Sequence, residues 1–243
     1  MNCHSHNAHT GDAIFALNML SRLTGEHVLC CNPDYHEGLR GLVEGLPIEI
    51  RDCSRIAPNS MDFWLASGLF ERIGIRYQDD IDIIGFIRRY FNSMAYEGGH
   101  EPPFKIRGDM LCNFPAIKKL SEIGEPFTGI MVINANPLSG QCPRYSASEM
   151  DELIRKLEDK NPSVLAIEKA DLSLVQIAAL SVHAKLIIGC ATGPFWGACN
   201  FWNATTQRIV MLDPMKLDMW PVPVVHAPDA KRVEEILTGM GYL

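Results

Sequence analysis

Two short segments, far apart in the chain, carry residue types that could bind an anion and move a proton. The first, His9-Thr10-Gly11-Asp12, leads into apolar residues at helical spacing. A carboxylate at a helix N-terminus stays ionised because the helix dipole stabilises it, so Asp12 could act as a general base. The second, Ala191-Thr192-Gly193-Pro194, follows an apolar run that predicts a buried strand. Its backbone amides could face an anion such as a phosphate.

Both segments also have a purely structural interpretation. Asp12 could be a helix cap or a first-turn acid that makes no catalytic contact. The residues Thr192 to Pro194 could form no more than a tight strand-to-helix turn. The aromatic pairs Phe195-Trp196 and Phe201-Trp202 have faces of the kind that stack on sugars and bases, but aromatic residues also fill protein cores.

Three histidines near the N-terminus, His4, His6 and His9, form a second candidate site. Alternating histidines on a strand, followed by one in the next loop, could bind a metal ion, as in a metal-dependent hydrolase. The rest of the chain offers no clear companion set of His and Asp ligands. We therefore assign no metal site, and the alternative is that His6 and His9 line a cleft beside Asp12 and contact a substrate.

The first half of the chain predicts the elements that would hold the first segment. Strands are predicted at 1–6, 27–31 and 48–52, with helices at 12–23 and 36–44 between them. This alternation is typical of a parallel sheet with right-handed crossovers. The pattern weakens after the third strand, and the Gly- and Pro-rich segment 98–103 marks a break. We therefore expect an N-terminal domain at 1–110.

The second half predicts another unit of the same kind, at 111–243. Its predicted strands are 129–135, 164–167, 185–190 and 208–212, and its clearest predicted helices are 173–183 and 229–240. Ser173 and Gln176 have capping-box spacing. Glu168 follows a strand, at the end where nucleotide contacts fall in such sheets, although a surface ion pair would look the same. The predicted fold class is α/β, with two Rossmann-like, doubly wound parallel-sheet domains that face a cleft.

Composition narrows the classes of partner. The net charge is -7 and the Lys and Arg residues are scattered, which argues against nucleic acid. No stretch reaches the roughly 20 apolar residues that span a bilayer, and the start lacks a signal-peptide pattern. The cysteines include no CxxC pair, which is typical of buried thiols in a reducing compartment. We expect a cytoplasmic protein, either soluble or peripheral to a membrane.

At Thr10-Gly11-Asp12-Ala13-Ile14 the chain resembles glycosyltransferase family 9, the heptosyltransferase-like group with the GT-B fold. The run from Asp171 to Pro194 is similar to the helix, strand and turn of that family's donor domain. The resemblance covers both ends of the chain and leaves the middle unmatched. Two positions of the turn differ from the family pattern, since Ala191 stands in place of an Asp and Trp196 in place of a His.

The resemblance implies an inverting, metal-independent glycosyltransferase without a cofactor. A nucleotide-diphosphate sugar would be the donor, and a hydroxyl of a glycan, lipid or protein would be the acceptor. Asp12 aligns with the family's catalytic Asp, and Arg144 falls where the family often keeps a cation for phosphate, although a solvated surface Arg would look the same. The remaining residues expected to contact substrate are Gly11, His6, His9, Glu168, Thr192, Gly193 and Pro194.

Two hypotheses from other classes stay open. The first is a catalytically silent module that binds a nucleotide sugar or acts as a scaffold, having lost the chemistry of the positions at Ala191 and Trp196. The second is the metal-dependent hydrolase built on His4, His6 and His9. Loss of activity in Asp12→Asn would favour the enzyme over the silent module, and bound zinc would favour the hydrolase.

Overall fold

A computed structural model of the chain describes residues 2–5, 10–21, 25–52, 61–62, 111–133, 147–190, 192–211 and 222–243. Within these ranges, strands and helices alternate and the paired strands of both sheets run parallel, so the predicted α/β class is confirmed. The predicted break at 98–103 lies outside the described residues. The domain boundary between residues 110 and 111 therefore stays a prediction.

The first sheet has the strand order β3-β2-β1-β4. Its strands are β1 (Asn2–Ser5), β2 (His27–Cys31), β3 (Ile48–Asp52) and β4 (Met61–Asp62), and its helices are α1 (Thr10–Leu20) and α2 (His36–Leu42). Strand β2 is buried along its whole length, as a continuous apolar run predicts. Helix α1 begins at Thr10, before the predicted start, so Asp12 lies inside its first turn.

The second sheet has the strand order β6-β5-β7-β8-β9. Its strands are β5 (Ile130–Ile133), β6 (Val164–Ala166), β7 (Leu186–Gly189), β8 (Gln207–Val210) and β9 (Val224–His226). The helices of this half are α3 (Pro115–Ser121), α4 (Ala147–Lys160), α5 (Leu174–Ser181), α6 (Gly193–Gly197) and α7 (Ala230–Gly239). Strands β5 and β7 are buried throughout, which places them at the centre of this half.

The start of α5 confirms a local prediction. The Ser173 hydroxyl oxygen accepts a hydrogen bond from the Gln176 amide (3.4 Å), and Gln176 Oε1 accepts one from the Ser173 amide (2.8 Å). This is the reciprocal capping box that the spacing of the two residues predicts. Helix α5 therefore begins where the sequence places it, which sets the position of its apolar face against the neighbouring helices.

Helix α2 of the first half packs against α5 of the second through two glycines. A β-carbon at Gly38 would lie 3.4 Å from Cβ of Leu174, and one at Gly41 would lie 3.2 Å from Cγ1 of Val175. The absence of side chains on these glycines lets the two helices approach closely. As a result, buried residues of both sheets belong to one continuous apolar cluster.

For the helices of the described ranges, a membrane span would require both sufficient length and sufficient hydropathy. None of them, within those ranges, is both long enough and apolar enough to cross a lipid bilayer.

Candidate active site

Each candidate segment lies where the strand order of its sheet reverses. In the first sheet, β1 lies between β2 and β4, and in the second sheet, β5 lies between β6 and β7. Open α/β sheets bind ligands beyond the carboxyl ends of their strands at such reversal points. Helix α1 follows β1 along the chain, and the segment with Thr192 follows β7. The topology therefore brings both segments to positions suited to ligand binding.

The two segments are in direct contact. A β-carbon at Gly11 would lie 2.8 Å from Cδ1 and 3.3 Å from Nε1 of the Trp196 indole. A β-carbon at Gly193 would lie 2.6 Å from Cβ and 2.7 Å from Cγ2 of Thr10. All four distances are shorter than ordinary van der Waals contacts, so each glycine is needed for the first turns of α1 and α6 to meet. The two segments therefore lie side by side in the structure.

The turn before α6 uses part of its hydrogen-bonding capacity internally. The Thr192 amide donates to the Cys190 carbonyl oxygen (2.7 Å), and the Thr192 hydroxyl donates to the same oxygen (3.4 Å). Pro194 has no amide hydrogen. Thr192 and Pro194 are nevertheless half-buried rather than enclosed, so a ligand can reach the turn. Fewer amides of this turn can therefore donate a hydrogen bond to an anion than the sequence alone suggests.

Glu168 lies at the same edge of the second sheet as this turn. It belongs to a short 3₁₀ helix (Ile167–Lys169) directly after β6, and its side chain is exposed. Because β5 separates β6 from β7, the carboxyl ends of β6 and β7 are roughly 10 Å apart. The neighbouring Lys169 forms an ion pair with Asp151, with 3.4 Å between Nζ and Oδ1. Glu168 therefore lies at the same edge of the sheet as the turn, two strand spacings away from it.

The structure leaves several predicted site residues undescribed. His6, His9 and Arg144 lie outside the described residues. For Asp12 and His4 the backbone alone is described, with Asp12 in the first turn of α1 and His4 on β1. Their predicted roles remain predictions.

Metal binding by the histidine cluster is likewise untested. Within the described ranges, no three His, Cys, Asp or Glu side chains come together as a group that could hold a metal ion. His6 and His9 lie outside these ranges, so the metal site of the hydrolase hypothesis stays a prediction.

A buried polar network fixes the segment behind α6. Asn203 Nδ2 donates to the carbonyl oxygen of Ser181 (2.9 Å) and to that of Ala198 (2.8 Å). The Arg208 guanidinium donates to the carbonyl oxygens of Thr206 and Asn203 (2.7 Å each) and to Asn203 Oδ1. Arg208 is fully buried on β8. These bonds tie the end of α6 to α5 and β8, so α6 has a rigid support.

Burial also changes the ionisation of two groups in this network. Burial lowers the pKa of Arg208, and the nearby Cys199 opposes that shift. Burial raises the pKa of Cys199 to about 11, although the charge of Arg208 acts in the opposite direction. The Cys199 thiol is therefore protonated at neutral pH and is no nucleophile there.

The aromatic residues divide between core and surface. Phe195 and Trp196 are buried, as the core interpretation predicts, whereas Phe201 is exposed and makes an edge-to-face contact with Trp202. Sequence reasoning missed the specific role of Trp196, whose side chain is the contact of Gly11. The signal in the sequence was the presence of Gly11 beside Asp12 together with Trp196 at a position where the similar family has a His.

The sequence matches no protein-family model and no curated protein. Several solved structures are similar in fold. Heptosyltransferase WaaC of E. coli with ADP-2-deoxy-2-fluoro heptose has a TM-score of 0.58 and 10% identity, over 98% of this chain and 99% of that chain. WaaC with ADP has a TM-score of 0.55 and 12% identity, over 98% of this chain and 97% of that chain.

Another is the iron-containing dodecameric glycosyltransferase TibC of enterotoxigenic E. coli, with a TM-score of 0.51 and 14% identity. It aligns over 86% of this chain and 57% of that chain. At these identities the likeness is one of fold. The resemblance inferred from the two segments is confirmed at that level, and the chain has a heptosyltransferase-like fold.

Proposed function

We propose that this chain transfers a sugar from a nucleotide-diphosphate donor to an acceptor hydroxyl, with inversion at the anomeric carbon and without a metal ion. The observation that carries the proposal is the contact between the first turn of α1, which contains Asp12, and the turn at Thr192 and Gly193. Both lie where α/β sheets bind ligands. The similar structure of WaaC contains ADP-2-deoxy-2-fluoro heptose, which supports a donor of this class.

In the proposed reaction, Asp12 accepts the proton of the acceptor hydroxyl. The hydroxyl oxygen attacks the anomeric carbon from the face opposite the diphosphate, and the bond from that carbon to the diphosphate oxygen breaks. The diphosphate leaves with the electron pair. The Thr192 amide is bonded to Cys190 and Pro194 lacks an amide hydrogen, so neither can donate to the diphosphate, and a cation would stabilise part of the departing charge. Arg144 is the residue that we propose for this role.

In this proposal the two halves of the chain face a cleft, and each half binds one of the two substrates. Residues 1–110 hold the acceptor, a glycan, lipid or protein, and His6, His9 and Gly11 contact it or the donor beside Asp12. Residues 111–243 bind the donor, with Gly193 and Pro194 near the diphosphate and Glu168 near the ribose or base. We further propose that the reaction takes place in the cytoplasm.

One observation favours a second candidate, a catalytically silent module that binds a nucleotide sugar. Ala191 and Trp196 replace the Asp and His of the similar family's turn, and the Trp196 indole is used for packing against Gly11. An indole packed in this way supplies no charge to a diphosphate. Binding without transfer is therefore the specific prediction of this alternative.

Thermal unfolding with a panel of nucleotides and nucleotide sugars, with and without EDTA, separates the candidates. A ligand at about 100 times its Kd adds about 2.7 kcal/mol to the unfolding free energy and raises Tm by several degrees. A shift that EDTA leaves unchanged, followed by detected transfer from the same donor, supports the enzyme. A shift without transfer to any acceptor supports the silent module. No shift with any nucleotide, combined with destabilisation by EDTA, contradicts both and favours the histidine cluster.

A further inference from the structure

The Trp196 side chain fixes the first turn of α1 from the opposite half of the chain. Trp196 is 7% exposed, and its indole lies against the α-carbon of Gly11, the residue directly before Asp12. We infer that Trp196 is a positioning residue, which holds Asp12 at a set distance from the turn at Thr192 and Gly193. The inference rests on the proposed function and adds a residue to it that lies outside the expected set of substrate contacts.

The backbone of Trp196 is anchored independently of its indole. Its amide donates to the Thr192 carbonyl oxygen (3.0 Å). Its carbonyl oxygen accepts hydrogen bonds from the Cys199 amide (3.0 Å) and the Cys112 thiol (3.6 Å). Together with the network of Asn203 and Arg208 behind α6, these bonds make the indole a fixed surface rather than an adaptable one.

The α1 side of the contact is equally constrained. The Thr10 side chain packs against Gly193, and Gly11 packs against Trp196, so two consecutive residues before Asp12 meet α6. Further along α1, Ala13, Ile14 and Leu17 are fully buried. The helix is therefore held along its buried face and at its first turn, and the backbone position of Asp12 follows from both constraints.

This placement matters for the proposed chemistry because proton transfer depends on geometry. A displacement of about 1 Å at a catalytic group can lower a rate by roughly 100-fold. Displacing Asp12 leaves the donor-binding residues of the second half in place. The positioning role therefore predicts a loss of kcat with little change in the KM for the donor.

Gly11→Ala tests the contact without creating a cavity. Alanine is a better helix former than glycine, so a loss of kcat would not come from a weaker helix. Recovery of activity when Trp196→Leu is added would assign the loss to the indole contact rather than to a substrate contact of Gly11. Gly239→Ala, near the end of α7, is the matched control because a β-carbon there would meet nothing within 4 Å. Trp196→Leu removes the indole, Trp196→Phe keeps an aromatic ring, and the double variant Gly11→Ala/Trp196→Leu restores space for the added methyl.

We expect Gly11→Ala and Trp196→Leu to lower kcat by about tenfold to 100-fold with an unchanged donor KM. Trp196→Phe should retain most of the activity, and the double variant should be more active than the product of the two single losses predicts. If the wild-type protein is active and the two single losses simply multiply in the double variant, this inference is wrong and the proposed function stands. The same conclusion follows if the donor KM of the single variants rises as their kcat falls. Wild-type protein without transfer from any donor overturns the proposed function and this inference together.

Discussion

The Thr10 side chain of α1 lies against the α-carbon of Gly193 in α6, and the contact leaves no room for a β-carbon. A β-carbon at Gly193 would lie 2.6 Å from Cβ of Thr10. Gly193→Ala should therefore lower the unfolding free energy by about 1–3 kcal/mol, the usual cost of overpacking. Denaturant unfolding measures the change. Thr10→Gly in the same chain should recover part of the loss, whereas Gly239→Ala alone should leave the stability unchanged or slightly higher.

Asp12→Asn tests the proposed general base. The amide cannot accept the hydroxyl proton, so kcat should fall by about 10²–10⁴-fold while Tm stays close to the wild-type value. A transfer assay with the donor identified by thermal unfolding provides the measurement. Asp171→Asn is the control, because Asp171 is an exposed carboxylate outside the candidate site. Full activity in Asp12→Asn would remove this residue from the mechanism.

The pKa of Cys199 predicts a loss of stability in alkaline solution. Burial raises the pKa from its ordinary value of 9.0 to about 11 in the folded protein. The unfolded chain therefore releases the thiol proton first as the pH rises. The stability contribution is fully present below pH 9 and is lost between about pH 9 and pH 11.

The expected size of that loss is about 3 kcal/mol, from about 1.4 kcal/mol for each pKa unit. Unfolding free energies of wild type and Cys199→Ala, measured from pH 8 to about pH 11, report on the thiol together with its effect on Arg208, because the alkaline titrations of groups away from Cys199 are common to both proteins. The difference between the two proteins should shrink across this interval. A difference that is constant with pH would show that the thiol does not carry the shift.

Arg208→Lys should destabilise the fold although it keeps the charge. The lysine ammonium cannot reproduce the planar fork that serves the carbonyl oxygens of Thr206 and Asn203. Losing these bonds in a buried site should cost about 3 kcal/mol in unfolding free energy. Arg155→Lys is the matched control, since Arg155 forms an exposed ion pair with Asp159 and should lose less than about 0.5 kcal/mol. Equal effects of the two substitutions would contradict the structural role of Arg208.

The sequence predicted elements that depend on local pattern. The buried strands β2 and β7 follow from continuous apolar runs, and the start of α5 follows from the side chains of Ser173 and Gln176. The short elements α3, β4 and β9 were not predicted. Elements of this length have weak periodicity and depend on contacts with distant parts of the chain for their stability.

The candidate site could be predicted only in part for the same reason. The carboxylate of Asp12 and the turn at Thr192 indicated a catalytic or ligand-binding role. The strand order of each sheet places these two segments where that order reverses. The start of α1 was predicted two residues late, because Gly11 is a poor helix former in isolation. Its place in the helix depends on Trp196, a residue from the other half whose proximity no local pattern reveals.

The close approach of Gly38 and Gly41 to α5 makes folding of the two halves interdependent. If one sheet formed alone, the apolar surfaces of α2 and α5 would face water, so a half-folded species would lose the burial that each helix gives the other. Such species are sparsely populated in a cooperative transition. The glycine pair therefore links the folding of the first half to that of the second, and a larger residue at Gly41, where a β-carbon would lie 3.2 Å from Val175, would disturb a helix that is distant in the chain.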